Sequence, residues 1–301
     1  FGGGGGGGPF GIGGTSGFGG GTGGSLPGGL SSGGGGGGMG GAVFVMAGGQ
    51  LTLDGTLTVS GSAVSAGAGG STGTPGAAGG AYGAGLFLAG NGTLTFAPAI
   101  GQTQTVHDAI ADQNGSGGTG PTAGVWGLAM SGEGTLVLAG ANTYSGPTTV
   151  SAGVGTLQVD GSVAGPVSLG SGATLQGAGR VGSLQVSASS VFRPGYSGGG
   201  STAGTLTAGA LSFEELSTYQ VAVNLSSTTG TTAAVMGTAQ LDGTVQVDVT
   251  GTSLNRPLSI SILHAGAISG TFSGVTLTNA PAGLEASLQY NATDVILTLT
   301  P

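Results

Sequence analysis

The sequence predicts an all-β protein whose short strands stack coil upon coil as a parallel β-helix, a solenoid. Glycine supplies 75 of the 301 residues. Short runs alternate apolar residues with Thr or Ser between glycines, and no run has the period of an amphipathic helix. A strand-like unit, Gly-Thr/Ser-Leu, followed two residues later by Val or Leu in all but the last copy, recurs at solenoid-like separations around Leu136, Leu157, Leu184 and Leu206. Because one coil cannot bury its own apolar face, we expect these leucines to form a continuous ladder.

Composition and charge exclude several classes of protein. The net charge is −8, there is no Lys, and the bases are Arg180, Arg193 and Arg256. This balance argues against nucleic acid and anionic lipid as partners, since both need clustered bases. Glycine has no strict G-X-Y period, which excludes collagen. Cys is absent, so no disulfide forms.

Targeting signals are not visible in the sequence. No apolar run approaches the roughly 18 residues that a membrane helix needs. The chain opens at Phe1 without an initiator Met or a basic leader region. We expect it to be an internal piece of a longer protein.

Residues 1–41 form the first predicted segment, a Gly-rich run that we expect to be flexible or irregular. Glycine loses the most backbone entropy on folding, and this run has little apolar surface to offset that loss. Phe10, Phe18 and Leu26 are the side chains expected to contact a neighbouring surface.

Residues 42–213 are predicted to form the coils of the β-helix. Period-two runs such as Ala42–Met46 and Gly92–Phe96 have the texture of half-buried strands with glycine corners. The pattern is most regular from Gly134 onward, and its turns are too short for the crossover helices of an α/β fold.

Residues 214–301 contain less glycine and longer alternating strands, such as Gly243–Val249 and Asp294–Leu299. Repeat arrays need an end piece that prevents their open strand edges from pairing with other chains. We therefore expect this segment to be the C-terminal cap.

The repeat itself resembles a known family. Residues 134–153 read GTLVLAGANTYSGPTTVSAG, and residues 155–159 follow with GTLQV. This run resembles the autotransporter-associated β-strand repeat in passenger domains of type V secretion proteins. Later runs, at 177–182, 192–197 and 241–245, resemble the passenger end nearest the membrane.

The resemblance implies a right-handed single-stranded parallel β-helix at the bacterial cell surface or outer membrane, or released from it. It also implies a C-terminal outer-membrane β-barrel as partner, and an autochaperone-like role for residues 214–301, folding first and templating the rest. The chain itself has no ten-residue lipid-facing strands with aromatic girdles, so we expect the barrel to be missing from it.

Few residues point to catalysis or metal binding. Ser197 lies in a G-x-S-x-G pattern, which this glycine content produces by chance, and we interpret it as a turn serine. His107, Asp108 and Asp112 form the one His–acid cluster, with His264 distant in sequence. Zinc needs three or four ligands, so we interpret His107 and Asp108 as a pair of polar turn residues flanking Val106 and Ile110.

The remaining polar and aromatic candidates also have structural interpretations. Glu214 and Glu215 are adjacent, and neighbours on a strand point to opposite faces, so a solvated edge is expected. Asp54, Asp160 and Asp242 each precede glycine, which is typical of turns. Trp126 and Tyr144 are interpreted as core or corner residues rather than sugar platforms. We predict no catalytic, metal or cofactor site.

The leading functional hypothesis is a surface-exposed passenger with a structural, adhesive or self-associating role. Its partners would be host or neighbouring-cell surface molecules, or the chain itself. Two alternatives stay open. One is a polysaccharide-acting β-helix enzyme, which requires at least two acids and a base in one groove. The other is an inert stalk for a functional domain upstream.

Overall fold

A computed structural model describes residues 2–8, 13–26, 29–196 and 204–301. Within these residues the chain forms 27 strands and one short 3-10 helix, Gly120–Thr122, without an α-helix. Most strands pair in parallel with a strand one coil further along the sequence. The predicted all-β solenoid is therefore confirmed.

Three faces make up each coil. Face A contains β3 (Leu51–Asp54), β7 (Gly92–Ala97), β10 (Trp126–Met130), β13 (Thr148–Val150) and β16 (Val167–Leu169). Face B contains β4 (Leu57–Val59), β8 (Thr103–Val106), β11 (Thr135–Leu138), β14 (Thr156–Val159), β17 (Thr174–Gly177), β19 (Val191–Pro194), β21 (Thr218–Asn224), β23 (Thr244–Thr250) and β25 (Val275–Thr278). Face C contains β2 (Val43–Val45), β6 (Leu86–Leu88), β9 (Ile110–Asp112), β12 (Ala141–Asn142) and β15 (Ser162–Val163).

In the C-terminal half, long bent strands run across face C and continue into face A. They are β18 (Arg180–Val186), β20 (Gly204–Phe213), β22 (Thr229–Leu241) and β24 (Leu258–Gly270). Four further strands lie at the two ends of the molecule: β1 (Gly38–Met39), β5 (Ala81–Tyr82), β26 (Glu285–Tyr290) and β27 (Asp294–Thr300).

The core is a set of columns of inward side chains, one residue per coil. On face B, Leu136 pairs with Leu157, Leu157 with Leu175, and Leu175 with Phe192. All four are fully buried, because alternate strand residues point inward and the neighbouring coils cover them. The expected ladder is thus confirmed for Leu136 and Leu157.

The ladder prediction was wrong for the other two leucines. Leu184 pairs with Val167 and Leu211 on face A, and Leu206 pairs with Ala233 on face C. The turns differ in length from coil to coil, and the Gly-Thr/Ser-Leu unit occurs on more than one face. The same motif therefore does not mark the same position in every coil.

Gly-rich segments form a hydrogen-bonded unit at the N-terminal end, which we call the glycine bundle (described residues of 2–38 together with 65–80). Neighbouring segments exchange one backbone hydrogen bond every third residue. The N–H groups of Ser32, Gly35 and Gly38, for example, donate to the carbonyls of residues 74, 77 and 80 at 3.0, 2.8 and 2.9 Å. A period of three is that of polyproline II, whose backbone groups make no bonds within the segment and are free to bond between segments.

Close backbone approach explains why these positions are glycine. A Cβ added at Gly34 would lie 1.8 Å from the carbonyl oxygen of Gly21, and one at Gly21 would lie 1.9 Å from that of Ala77. Neither residue has a positive φ. Space, rather than backbone handedness, therefore excludes every larger residue here.

A small aromatic cluster attaches the bundle to face C. The ring of Phe18 lies 5.6 Å from that of Tyr82 and 5.7 Å from that of Phe87, which is fully buried. The expected contact of Phe18 is confirmed. Leu26 stays exposed, and Phe10 lies outside the described residues.

The C-terminal end replaces parallel stacking with antiparallel pairing. β27 pairs antiparallel with β24 and with β26. Beneath them, Phe272 stacks on Tyr219 with ring centroids 5.7 Å apart, and Phe192 stacks on the same tyrosine at 5.6 Å. Pairing between coils continues across residue 214, between β20 and β22 and, on face B, between β19 and β21. The division into three segments, 1–41, 42–213 and 214–301, stays a prediction.

Candidate functional site

A column of glycines creates a concave bend between face C and face A. Gly182, Gly209, Gly237 and Gly266 lie above one another in β18, β20, β22 and β24. A Cβ at Gly209 would lie 2.7 Å from the carbonyl oxygen of Gly182, and one at Gly237 would lie 2.8 Å from that of Gly209. The strand registers shift beside this column. Glycine therefore lets the long strands bend tightly while their coils stay in contact.

A groove of about 370 Å³ follows this bend, and we call it the bend groove. Two rows of outward side chains border it, because residues two apart on a strand point to the same side. One row stays in register from coil to coil: Ser168 pairs with Gln185, Gln185 with Ser212, and Ser212 with Gln240. The polar residues of the two rows are Ser168, Gln185, Ser212 and Gln240 in the first, and Ser183 and Thr238 in the second.

The polar groups of the bend groove are largely unoccupied within the chain. Gln185 donates from Nε2 to Oε1 of Glu214 at 2.9 Å. Among the described residues, Ser168, Ser212 and Gln240 have no side-chain partner. Face B differs, because its stacked amides bind one another: Nε2 of Gln176 donates to Oε1 of Gln158 at 2.9 Å. The groove thus keeps donors and acceptors available for a ligand, whereas Gln158 and Gln176 of face B bind each other.

Among the described residues, no ionisable side chain lines the bend groove. Its floor is backbone, with the exposed Pro166 and Ala210 adding apolar contact. Such a surface hydrogen-bonds and packs, but it supplies no general acid, base or nucleophile of shifted pKa.

Asp112, a member of the predicted His–acid cluster, is a structural residue. Its carboxylate is fully buried and accepts hydrogen bonds from the N–H groups of Gly115, Trp126 and Ser145 at 2.6, 2.9 and 2.8 Å. The hydroxyl of Ser145 donates a fourth bond at 2.8 Å. Four donors satisfy a buried carboxylate, so Asp112 joins neighbouring coils at a corner.

Asp108 and His107 lie at the surface and do not join Asp112 in a site. The Asp108 carboxylate accepts from the N–H groups of Ser62 and Gly61 at 2.8 and 3.1 Å. The bond from Ser62 is the main reason that the pKa of Asp108 lies below its usual value. Within the described residues, no group of three or more His, Asp or Glu converges to hold a metal ion. The interpretation as turn residues is supported for both.

His264 has a partner that sequence reasoning missed. Its Nδ1 lies 2.8 Å from Oδ1 of Asp294, because β24 and β27 pair antiparallel and place the two opposite each other. The hydroxyl of Ser261 donates to the same Asp294 oxygen at 3.2 Å. In the described part of the chain, no hydroxyl lies on Nε2 of His264, where a nucleophile would have to be. The arrangement is a cross-strand contact.

The other predicted candidates are scattered. Glu214 accepts from the N–H of Ala188 at 3.1 Å, and Glu215 is exposed. Arg180 lies on β18, whereas Arg193 lies on β19 with its guanidinium 4.2 Å above the ring of Tyr196. Ser197 lies outside the described residues. Among the described residues no arginine forms a salt bridge.

The core and turn interpretations are supported for Trp126, Tyr144, Asp54 and Asp242, whereas the carboxylate of Asp160 accepts from Nε2 of Gln158 at 2.6 Å. Trp126 is fully buried and donates from Nε1 to the carbonyl of Ala89 at 3.1 Å. Burial raises the pKa of Tyr144, whose hydroxyl bonds that of Thr148 at 2.6 Å. Asp54 accepts from the N–H of Gly55 at 2.7 Å in the expected turn, and Asp242 does the same with Gly243.

The groove residues were missed by sequence reasoning. Each polar residue of the first row stands between two inward apolar residues, as in Leu184-Gln185-Val186 and Leu211-Ser212-Phe213. That alternation marks an outward position. It does not say which outward positions meet, because that depends on a register set by turns of unequal length.

None of the helices in the described residues is long and apolar enough to cross a membrane.

Known proteins resemble parts of the chain. Residues 128–159, from β10 to β14, match the model of the passenger-associated-transport-repeat family. A stretch of 69 residues is 46% identical to the extracellular serine protease of Serratia marcescens. This stretch is 23% of the chain and 6% of that protein, so the chain spans a small part of the relative that it matches.

Proposed function

We propose that this autotransporter passenger domain, identified by its repeat match and its β-helix fold, is a structural and adhesive element. Its repeat supports a location at the bacterial cell surface or outside the cell. The observation that carries the proposal is the bend groove. In this groove the stacked coils present polar side chains, and most of their hydrogen-bonding groups have no partner within the described chain.

In this proposal, the full-length protein contains a C-terminal outer-membrane β-barrel that holds the passenger at the surface. The adhesive partners are molecules on host or neighbouring cells, or a second copy of the chain. The stacked coils supply the rigidity that an adhesive surface needs, since each coil is covered on both sides by its neighbours.

Catalysis is not part of the proposal. The relative from Serratia marcescens is named a serine protease, but the shared stretch is 6% of its length. In the described residues the bend groove contains no acid or base, and the two histidines lie on different coils. The polysaccharide-acting alternative needs two acids and a base in one groove, which the bend groove lacks.

Surface display tests the proposal. The chain is fused to an outer-membrane β-barrel and displayed on a non-adherent bacterial host, and the barrel alone is the control at equal surface density. We expect displayed cells to clump, or to attach to cultured cells or an abiotic surface, more than control cells do. Equal clumping and equal attachment of the two strains would refute an adhesive role.

A further inference from the structure

We propose that the bend groove binds an uncharged polysaccharide in an extended conformation. This inference rests on the proposed adhesive function and names the ligand class and the site. The two outward rows that border the groove run along the helix axis, with one residue per coil. Adjacent strands in a sheet lie roughly 4.8 Å apart, so the first row offers a polar side chain in each coil, and the second row interposes Ala210 between Ser183 and Thr238. A linear polymer lying along the axis would meet both rows at once.

The side chains of the groove match hydroxyl groups. Ser168, Ser183, Ser212 and Thr238 carry hydroxyls, and Gln185 and Gln240 carry amides. Each of these groups both donates and accepts. Sugar hydroxyls do the same, so a polysaccharide satisfies such rows without a fixed pattern of donors. The exposed Pro166 and Ala210 offer apolar contact to the C–H groups of a sugar ring.

Two features of the groove argue against other extended polymers as ligands: its charge argues against anionic polymers, and its paired strands argue against peptides. The described lining residues include no base that could neutralise a sulfated, carboxylated or phosphate-bearing chain. An extended peptide usually binds by adding a strand to a free sheet edge. β20 is paired on both sides, with β18 and β22, and β22 is paired with β20 and β24. The groove therefore has no free edge for a peptide.

Affinity electrophoresis of the purified chain tests the site. The gels contain one soluble neutral polysaccharide each (glucomannan, xyloglucan, laminarin or dextran), and heparin and polygalacturonate serve as anionic comparators. We expect at least one neutral chain to retard the protein and both anionic chains to leave it unretarded. No retardation by any neutral chain, or retardation by the anionic chains alone, would overturn the proposal.

Two matched double variants locate the binding. Gln185→Ala with Gln240→Ala removes amides from the groove, and Gln220→Ala with Gln246→Ala removes two outward amides of face B. Each lost hydrogen bond contributes modestly, so we expect the groove variant to weaken binding about tenfold and the face B variant to bind as the wild type does. Ala210→Trp, which fills the groove with an exposed side chain, should abolish retardation. Equal binding by all variants would refute the site.

Unfolding midpoints equal to that of the wild type establish that each variant is folded.

The display experiment separates this inference from the adhesive function. Adhesion that persists in the groove variant, without any polysaccharide retarding the protein, overturns the groove and keeps the adhesive role. Polysaccharide binding by the wild type without adhesion of displayed cells overturns the adhesive role and keeps the groove.

Discussion

Two glycines of the bundle allow a sharp test of its close packing. Gly34 lies where an added Cβ would be 1.8 Å from the carbonyl oxygen of Gly21, a contact that no real Cβ makes. Gly6 belongs to the same bundle, but a Cβ there would meet no described atom within 4 Å. Neither residue has a positive φ. The variants Gly34→Ala and Gly6→Ala therefore differ in packing and not in backbone conformation.

The two variants should have opposite effects on stability. Where the backbone permits it, replacing Gly with Ala stabilises by about 0.4–1 kcal/mol, since the unfolded chain loses conformational freedom. We expect that gain from Gly6→Ala. Overpacking costs about 1–3 kcal/mol. Gly34→Ala should therefore destabilise the bundle by about 1–2 kcal/mol after the entropy gain is subtracted.

Hydrogen exchange measured by mass spectrometry reports how strongly the backbone N–H groups of the bundle are protected. The reporters are peptides that contain Gly35 and Gly38, whose N–H groups donate to the carbonyls of residues 77 and 80 at 2.8 and 2.9 Å. A loss of 1–2 kcal/mol corresponds to exchange about 5- to 30-fold faster in Gly34→Ala. Peptides from β17 and β19 should exchange as in the wild type.

Two results would refute the packing of the bundle. One is equal exchange in Gly34→Ala and the wild type. The other is exchange in the wild-type bundle at the rate of an unstructured peptide, which would instead support the flexible segment predicted for residues 1–41.

Three further predictions concern the coils and the cap. Phe272→Ala should lower the free energy of unfolding by about 3–5 kcal/mol in urea titrations, because the ring stacks on a buried tyrosine; a change under 1 kcal/mol would contradict this packing. Asp112→Ala should cost about 1–3 kcal/mol, since the buried N–H of Trp126 and the partly exposed N–H groups of Gly115 and Ser145 lose their acceptor, and a wild-type unfolding midpoint would show that water replaces it. The hydrogen bond from His264 is the main cause of the lowered pKa of Asp294. This carboxylate therefore adds stability above its unfolded pKa of about 4, and that stability is lost as the pH falls through the lower folded pKa. Asp294→Asn should flatten the pH dependence of the thermal unfolding midpoint below about pH 4, and an unchanged pH profile would contradict the assignment.

The strands of the fold were predictable because they have a strong local signal. The run 134–138 alternates inward and outward residues, and its Leu136 meets Leu157 in the next coil as expected. Stacking order was less predictable. Leu184 carries the same motif but lies on face A, because the length of each turn, rather than the motif, decides the position in the coil.

The glycine bundle and the bend groove escaped sequence reasoning for different reasons. The bundle is held by backbone bonds at every third residue, and a run of glycines has no side-chain pattern that would reveal such a period. The groove gathers Ser168, Gln185, Ser212 and Gln240 from four separate strands. Each is visible as an outward residue in the sequence, but their alignment requires the register.

Inhibition of adhesion by the purified chain tests the central claim most directly. Cells that display the chain are mixed with their attachment surface, or with one another, in the presence of increasing amounts of the soluble wild-type chain. If the surface of the solenoid itself makes the adhesive contact, the soluble chain occupies the same partner, and attachment falls with dose. Attachment that stays constant at saturating soluble chain would contradict the claim.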